Sequence, residues 1–226
     1  MVFNDPRPRN LQETFPDFDQ WEQKHGTWYG SGHYCNATQE PWSKHFNMFS
    51  YVTEDLPSVV ERYFPVDPER RSVTGFSMGG NGALIVAAKR PERYRSVTSF
   101  APLSWPSQCE SPQIRPMIEL LFGNPEISDF SMLPLLMPPK ETAKDFSICD
   151  LIQQMGPELK FPPGFVDMGE IDEWEPYLQV YDLKRVLGEN GHDMQVRYHD
   201  GYDHSWHFIN DFIDEHINFH AMHLKK

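Results

Sequence analysis

Gly75-Phe76-Ser77-Met78-Gly79-Gly80-Asn81-Gly82 is a G-x-S-x-G run extended by further small residues, and its two flanks determine what it means. On the N-terminal side, Val66-Asp67-Pro68-Glu69 is turn chemistry, and residues 71–75 carry the β-formers Val73 and Thr74, which predicts a short strand. On the C-terminal side, residues 81–89 contain Ala83, Leu84, Ile85, Ala87 and Ala88, which predicts a strong helix. Strand, tight turn and helix are the setting that makes this pentapeptide a nucleophile elbow. Its small residues permit a turn that holds Ser77 in strained backbone with Oγ exposed, while the Met78 N–H and the helix N-terminus face a developing oxyanion. A chance loop serine needs neither the flanking glycines nor the following helix.

Farther out, residues 94–101 read as a second strand, so strand, helix and strand imply a parallel pair. Residues 165–167 read as a third strand, 176–189 as a helix, 194–198 as a fourth strand and 205–224 as a closing helix. That helix is expected to bury Trp206, Ile209, Phe212, Ile213 and Ile217 on one side. Between Met48 and Phe64, apolar residues recur every fourth position, which predicts an amphipathic helix that Pro57 kinks or restarts. The whole pattern predicts a doubly wound α/β-hydrolase fold, with a mostly parallel sheet, helices on both faces and the site at the carboxyl ends of the strands. One domain over residues 1–226 is expected. Residues 1–46 form an irregular segment, and 103–163 a Pro-rich, cap-like insertion with weak helical stretches near 114–122 and 148–155.

The chain carries a formal net charge of −13 without a compensating basic block, so the phosphate-driven affinity of a nucleic-acid binder has no source. The same balance argues against docking on an anionic membrane, and no apolar run reaches bilayer length. Pro and acidic residues interrupt residues 1–25 where a signal peptide needs apolar sequence. Cys35, Cys109 and Cys149 are odd in number and lack metal or redox spacing, which points to free thiols in a reducing compartment, hence the cytoplasm. The Asn36-Ala37-Thr38 sequon is read as chance without a secretory route.

A serine hydroxyl at neutral pH needs a base, and in this fold the chain order is Ser, acid, His. His204 lies in Asp200-Gly201-Tyr202-Asp203-His204-Ser205, a polar loop between the last strand and the last helix, where the fold delivers that base. His216, His220 and His223 share one helix face, a spacing that also suits a metal. With no second ligand cluster, they are read as polar residues favouring the helix C-terminal dipole. The remaining histidines are read as surface or satisfied core residues. No metal or cofactor is called for. The segment after the third strand offers Asp167, Glu170, Asp172 and Glu173 as acids. Asp167 is still in the strand, whereas Asp172 lies past Gly169 on the loop, from which it can hold the His204 imidazole. Position favours Asp172 and leaves Asp167 and Glu170 open.

Together, Ala37-Thr38 with Glu40-Pro41-Trp42, MFSYVTEDLP (48–57), FPVDPER (64–70), SMGGNGAL (77–84), VTSFAP (97–102) and GYDHS (201–205) resemble the S-formylglutathione hydrolase family, the esterase D type of serine hydrolase. The resemblance runs from about Tyr29 to the C-terminus. It implies hydrolysis of S-formylglutathione to glutathione and formate in cytosolic formaldehyde detoxification, by a Ser-Asp-His triad without a cofactor. By position, Ser77, Asp172 and His204 match the triad, and Met78 matches the backbone donor after the nucleophile. The family acid is the second residue of a paired-acid motif whose first position here is Ile171, which also favours Asp172.

Departures from the pattern are Phe76 in place of the family's histidine, Leu103-Ser104-Trp105 in place of small polar residues, and an extra stretch around 130–144. The family's N-terminal strands, and with them the loop giving the second oxyanion N–H, are not evident in the 76 residues before Ser77. At best Met1-Val2-Phe3 resembles the end of one such strand. Weak activity is therefore expected, together with ready association, unless residues 1–46 or a second subunit, as in a homodimer, cover the edge of strand 71–75. A carboxylesterase for another small acyl ester, or a noncatalytic or incomplete relative, are the other readings.

Overall fold

The computed structural model describes residues 1–4, 32–38, 42–112, 114 and 143–225. The expected helical stretch near 114–122 and the extra stretch around 130–144 fall mostly outside these residues.

Strands β1 (Ser72–Phe76), β2 (Ser96–Phe100), β3 (Gly164–Gly169) and β4 (Gln195–His199) form one parallel sheet in the order β1-β2-β3-β4. All four were expected, each within two or three residues of its observed ends. Among the described residues β1 is one edge of the sheet. β2 is buried at every position, as befits a parallel strand covered on both faces.

Helix α1 (Leu56–Tyr63) continues from the short turn Met48–Ser50 through a widened turn at Tyr51–Asp55, where the Leu56 N–H bonds to Tyr51 O, five residues back. Pro57 therefore widens the helix rather than breaking it. Its missing N–H leaves the Thr53 carbonyl to accept Arg93 Nη1 at 2.8 Å. Helix α2 (Met78–Lys89) is buried continuously from Gly80 to Ala88, which explains its all-round apolar sequence. Helix α3 (Ile148–Met155) lies within the cap-like region and packs on helix α4 (Val180–Glu189). The single helix expected over 176–189 is divided: a turn at Glu175–Leu178 ends at Gln179, whose φ of 56° is left-handed, before α4 begins.

The closing helix α5 (Trp206–Leu224) differs from expectation in what it buries. Trp206 is 76% exposed and Ile217 38% exposed, while Ile209, Phe212 and Ile213 are only partly buried against the core. The fully covered residues are Phe208, His216 and His220. The sheet face beneath explains this. Ser72 and Thr74 of β1 and Ser96 and Thr98 of β2 share that face by the two-residue period of a strand, and the fully buried Ser96 and Thr98 need polar partners. His220 supplies them: Nδ1 lies 2.8 Å from Ser96 Oγ and Nε2 2.8 Å from Thr98 Oγ1. Ser72 bonds Ser96 at 2.7 Å and Thr98 donates to Thr74 at 2.9 Å. Because the Thr98 hydroxyl proton goes to Thr74, His220 donates from Nε2 and accepts at Nδ1. Burial, aided by the neighbouring His216 and His223, pushes the His220 pKa down to about 4. His220 therefore serves the sheet beneath it and not the dipole of the helix end, whereas His223 lies in the last turn, where that reading placed it.

Candidate active site

Ser77 links β1 to α2 with φ 57° and ψ −119°, a backbone conformation that costs a non-glycine residue of order 1–3 kcal/mol and is stored where function needs it. Gly75 makes the turn possible: a Cβ there would lie 2.1 Å from Gly79 O. The Ser77 N–H donates to Phe100 O at 2.9 Å and its carbonyl accepts the Leu103 N–H at 3.0 Å, so the neighbouring strand end clamps the turn. Met78 opens α2, where the first N–H groups have no partner within the helix. Asn81, one turn on, is buried and reaches across the cleft floor: Nδ2 donates to Phe146 O at 2.8 Å, and Oδ1 accepts the Ile148 N–H at 3.3 Å.

The imidazole and its carboxylate come from the loops after β4 and β3. His204 Nδ1 lies 2.7 Å from Asp172 Oδ2, with the Asp172 side chain fully buried and that of His204 12% exposed. Asp172 Oδ1 accepts the Trp174 N–H at 2.8 Å, so both carboxylate oxygens are held. The two loops run close together because residue 169 is glycine: a Cβ there would meet Tyr202 O at 2.2 Å. Ile171 N–H to Tyr202 O at 3.1 Å and Glu170 N–H to His199 O at 2.9 Å stitch them. Glu173 Oε2 accepts the His204 N–H at 3.4 Å. With Nδ1 engaged by Asp172, Nε2 is the nitrogen left to exchange a proton.

The other candidate acids are placed elsewhere. Asp167 sits within β3, fully buried, and its carboxylate is taken by Arg197 across the β3–β4 register, Nε to Oδ1 and Nη2 to Oδ2, each at 2.6 Å. His216 Nε2 lies 3.1 Å from Oδ2. His199 Nε2 is 3.2 Å from Oδ1, within ion-pair distance but not aligned as a hydrogen bond. Burial pushes the Asp167 carboxyl up, and the bonds from His216 and Arg197 outweigh it, leaving a pKa of about 2. Glu170 is exposed.

One contact was missed in sequence. The Phe76 ring centroid lies 4.4 Å from that of His204 with the planes 32° apart, and Trp206 is 5.8 Å from Phe76. The available signal was adjacency, since Phe76 directly precedes the nucleophile candidate. Beside the elbow, His33, Cys35, Met78, Asn81, Leu103, Pro106, Ala143 and Phe146 line a small, largely apolar cavity. Cys35, Cys109 and Cys149 are all buried and none is in a disulfide. Burial raises the pKa of Cys35 and of Cys149, so neither supplies a thiolate nucleophile.

Residues 10–219 match the protein family described as "Putative esterase". The chain is 35% identical to the S-formylglutathione hydrolase of Rattus norvegicus and 36% identical to that of Mus musculus, in each case over 99% of this chain and 72% of the relative. Its structure is similar to that of an S-formylglutathione hydrolase from Agrobacterium tumefaciens, with a TM-score of 0.74 and 34% identity. That match covers 86% of this chain and 64% of the other, so the chain spans a little under two thirds of that protein. A fluorophosphonate-binding serine hydrolase of Staphylococcus aureus, at 15% identity and a TM-score of 0.61, shares the fold.

Proposed function

Because this chain belongs to the S-formylglutathione hydrolase family of esterases, which are serine hydrolases of the α/β-hydrolase fold, we propose that it hydrolyses S-formylglutathione to glutathione and formate with Ser77, His204 and Asp172 as its triad. The observation that carries this reading is the 2.7 Å contact between the buried Asp172 carboxylate and His204 Nδ1, packed against the residue that precedes Ser77.

In the first step Ser77 Oγ bonds to the formyl carbon while its proton passes to His204 Nε2. The carbonyl oxygen becomes an oxyanion facing the Met78 N–H. Asp172 keeps the imidazole in the Nδ1–H tautomer and stabilises the imidazolium. Collapse breaks the carbon–sulfur bond, and the departing glutathione sulfur takes the proton from Nε2. Water then attacks the formyl-serine, delivering its proton to His204, and formate leaves as Ser77 Oγ recovers that proton. None of these steps needs a metal or cofactor.

The small cavity beside Met78 favours a small acyl group, three cysteines outside any disulfide support a reducing, cytoplasmic setting, and the likeness to S-formylglutathione hydrolases supports a part in formaldehyde catabolism. A second reading, a carboxylesterase for another small acyl ester, is favoured by Leu103 and the aromatic Trp105 following β2, where the resemblance implies small polar residues. The test is hydrolysis by the purified chain of S-formylglutathione against short-chain aryl esters, with fluorophosphonate labelling located by mass spectrometry. Thioester turnover that disappears in Ser77→Ala, with the label on Ser77, supports the proposal. Aryl ester turnover without thioester turnover selects the second reading, and label elsewhere overturns both.

A further inference from the structure

A hydrogen bond to Nδ1 fixes one point of an imidazole but leaves its plane free to tilt about that bond, and catalysis requires Nε2 at a defined place relative to the serine. The bonds that tie the loop carrying His204 to the loop after β3, Ile171 N–H to Tyr202 O and the His204 N–H to Glu173 Oε2, hold its main chain and leave the plane of the ring unset. The ring face of His204 is instead packed on Phe76, centroid to centroid at 4.4 Å. Phe76 is firmly placed. It ends β1 in register with Phe100, and the next residue is clamped to the Phe100 carbonyl. Trp206, two residues beyond His204 in the chain, packs on Phe76 at 5.8 Å. The strand residue adjacent to the nucleophile is thus clasped by aromatic rings from the loop and helix start that carry the base.

We propose that Phe76 is a positioning residue for His204, setting the plane of the imidazole relative to Ser77 by ring contact while Asp172 sets its tautomer. The proposal rests on reading His204 as the base. A displaced Nε2 weakens proton transfer without weakening ground-state binding, so the effect falls on kcat and leaves KM unchanged.

The experiment compares Phe76→Leu, Phe76→Tyr and Trp206→Ala with the wild-type chain. Steady-state kinetics is combined with NMR of the His204 ring protons, assigned by their absence in His204→Gln. The wild type is expected to show His204 ring protons shifted upfield by the Phe76 ring current. In Phe76→Leu that shift is lost and kcat falls by about tenfold to a hundredfold at constant KM. Phe76→Tyr restores both, and Trp206→Ala, a change at an exposed side chain that leaves folding intact, gives a smaller loss of kcat. Wild-type kcat in a folded Phe76→Leu, an unshifted His204 ring in the wild type, or equal losses in Phe76→Leu and Phe76→Tyr would overturn the proposal. Failure of the base assignment is separately visible: hydrolysis then survives in His204→Gln while the ring-current shift of the wild type persists.

Discussion

Two carboxylate–imidazole pairs lie side by side in this molecule, and each imidazole packs on a phenylalanine that ends a strand. At the mouth, Asp172 holds His204 Nδ1 and Phe76 covers the ring. In the interior, Asp167 bonds His216 Nε2 and Phe100 stacks on the ring at 3.7 Å. Phe76 and Phe100 are partners in the β1–β2 register, so the two assemblies are neighbours built from the same parts. What separates them is saturation. Asp172 serves one imidazole and one backbone N–H, and the proposed mechanism uses His204 Nε2 for the reacting group. Asp167 also carries a bidentate Arg197, and His216 is fully buried with its second nitrogen unpartnered. The same residue types can make a proton shuttle or a structural ion cluster. Exposure and the number of competing donors determine which.

The comparison breaks most visibly at the nucleophile. Ser77→Ala is expected to remove hydrolysis of formyl thioester and short-chain esters by a factor on the order of 10⁶ in kcat, with an unchanged unfolding midpoint. Single-turnover assays on the purified variant measure it, and a tenth of the activity remaining would defeat the assignment of Ser77.

Next comes the contrast between the carboxylates. Asp172→Asn should cost on the order of 10⁴ in kcat through the wrong imidazole tautomer, with little loss of stability. Asp167→Asn should instead destabilise the fold by up to about 3 kcal/mol, because an amide replaces the buried acceptor of Arg197 and His216 while Arg197 keeps Glu215, and the molecules that remain folded keep their turnover. Urea unfolding together with kinetics on the same preparations separates the two, and a reversed pattern would exchange the roles assigned here.

The smallest effects are on the pH dependence of stability. The folded-state pKa of His220 is lowered from 6.5 to about 4. The unfolded chain therefore takes up the proton first, and the stabilisation is complete above 6.5 and lost as pH falls towards 4, by about 3 kcal/mol in total. His220→Gln should flatten that part of the curve. For Asp167, lowered from 3.8 to about 2, the stabilisation is present above 3.8 and lost as pH falls through about 2. Asp167→Asn should remove this lower limb and leave the upper one. Unfolding free energies from pH 7 to pH 2 test both, and unchanged limbs would contradict the burial and bonding described for these groups.

Local chemistry made much of this legible before any coordinates. Glycine spacing, β-formers and a following helix are neighbours in sequence, so residues 71–89 could be read as strand, elbow and helix. The polar loop before the last helix placed His204 for the same reason. The sequence read alone also put Asp172 on the loop and Asp167 in the strand. What it left open was which carboxylate meets which imidazole. Asp172 and His204 are 32 residues apart, Asp167 and His216 49 apart, and Ser96 and His220 124 apart. The sheet register decides such meetings, setting Asp167 beside Arg197 and Phe76 beside Phe100. The closing helix shows the same limit. Its apolar residues suggested a buried face through Trp206 and Ile217, but the surface it covers carries the buried hydroxyls of Ser96 and Thr98, on a strand far away in the chain, and a helix buries whatever its partner surface can satisfy. Helical period indicates that one side will be covered, and only the packed partner determines that His216 and His220 lie on it.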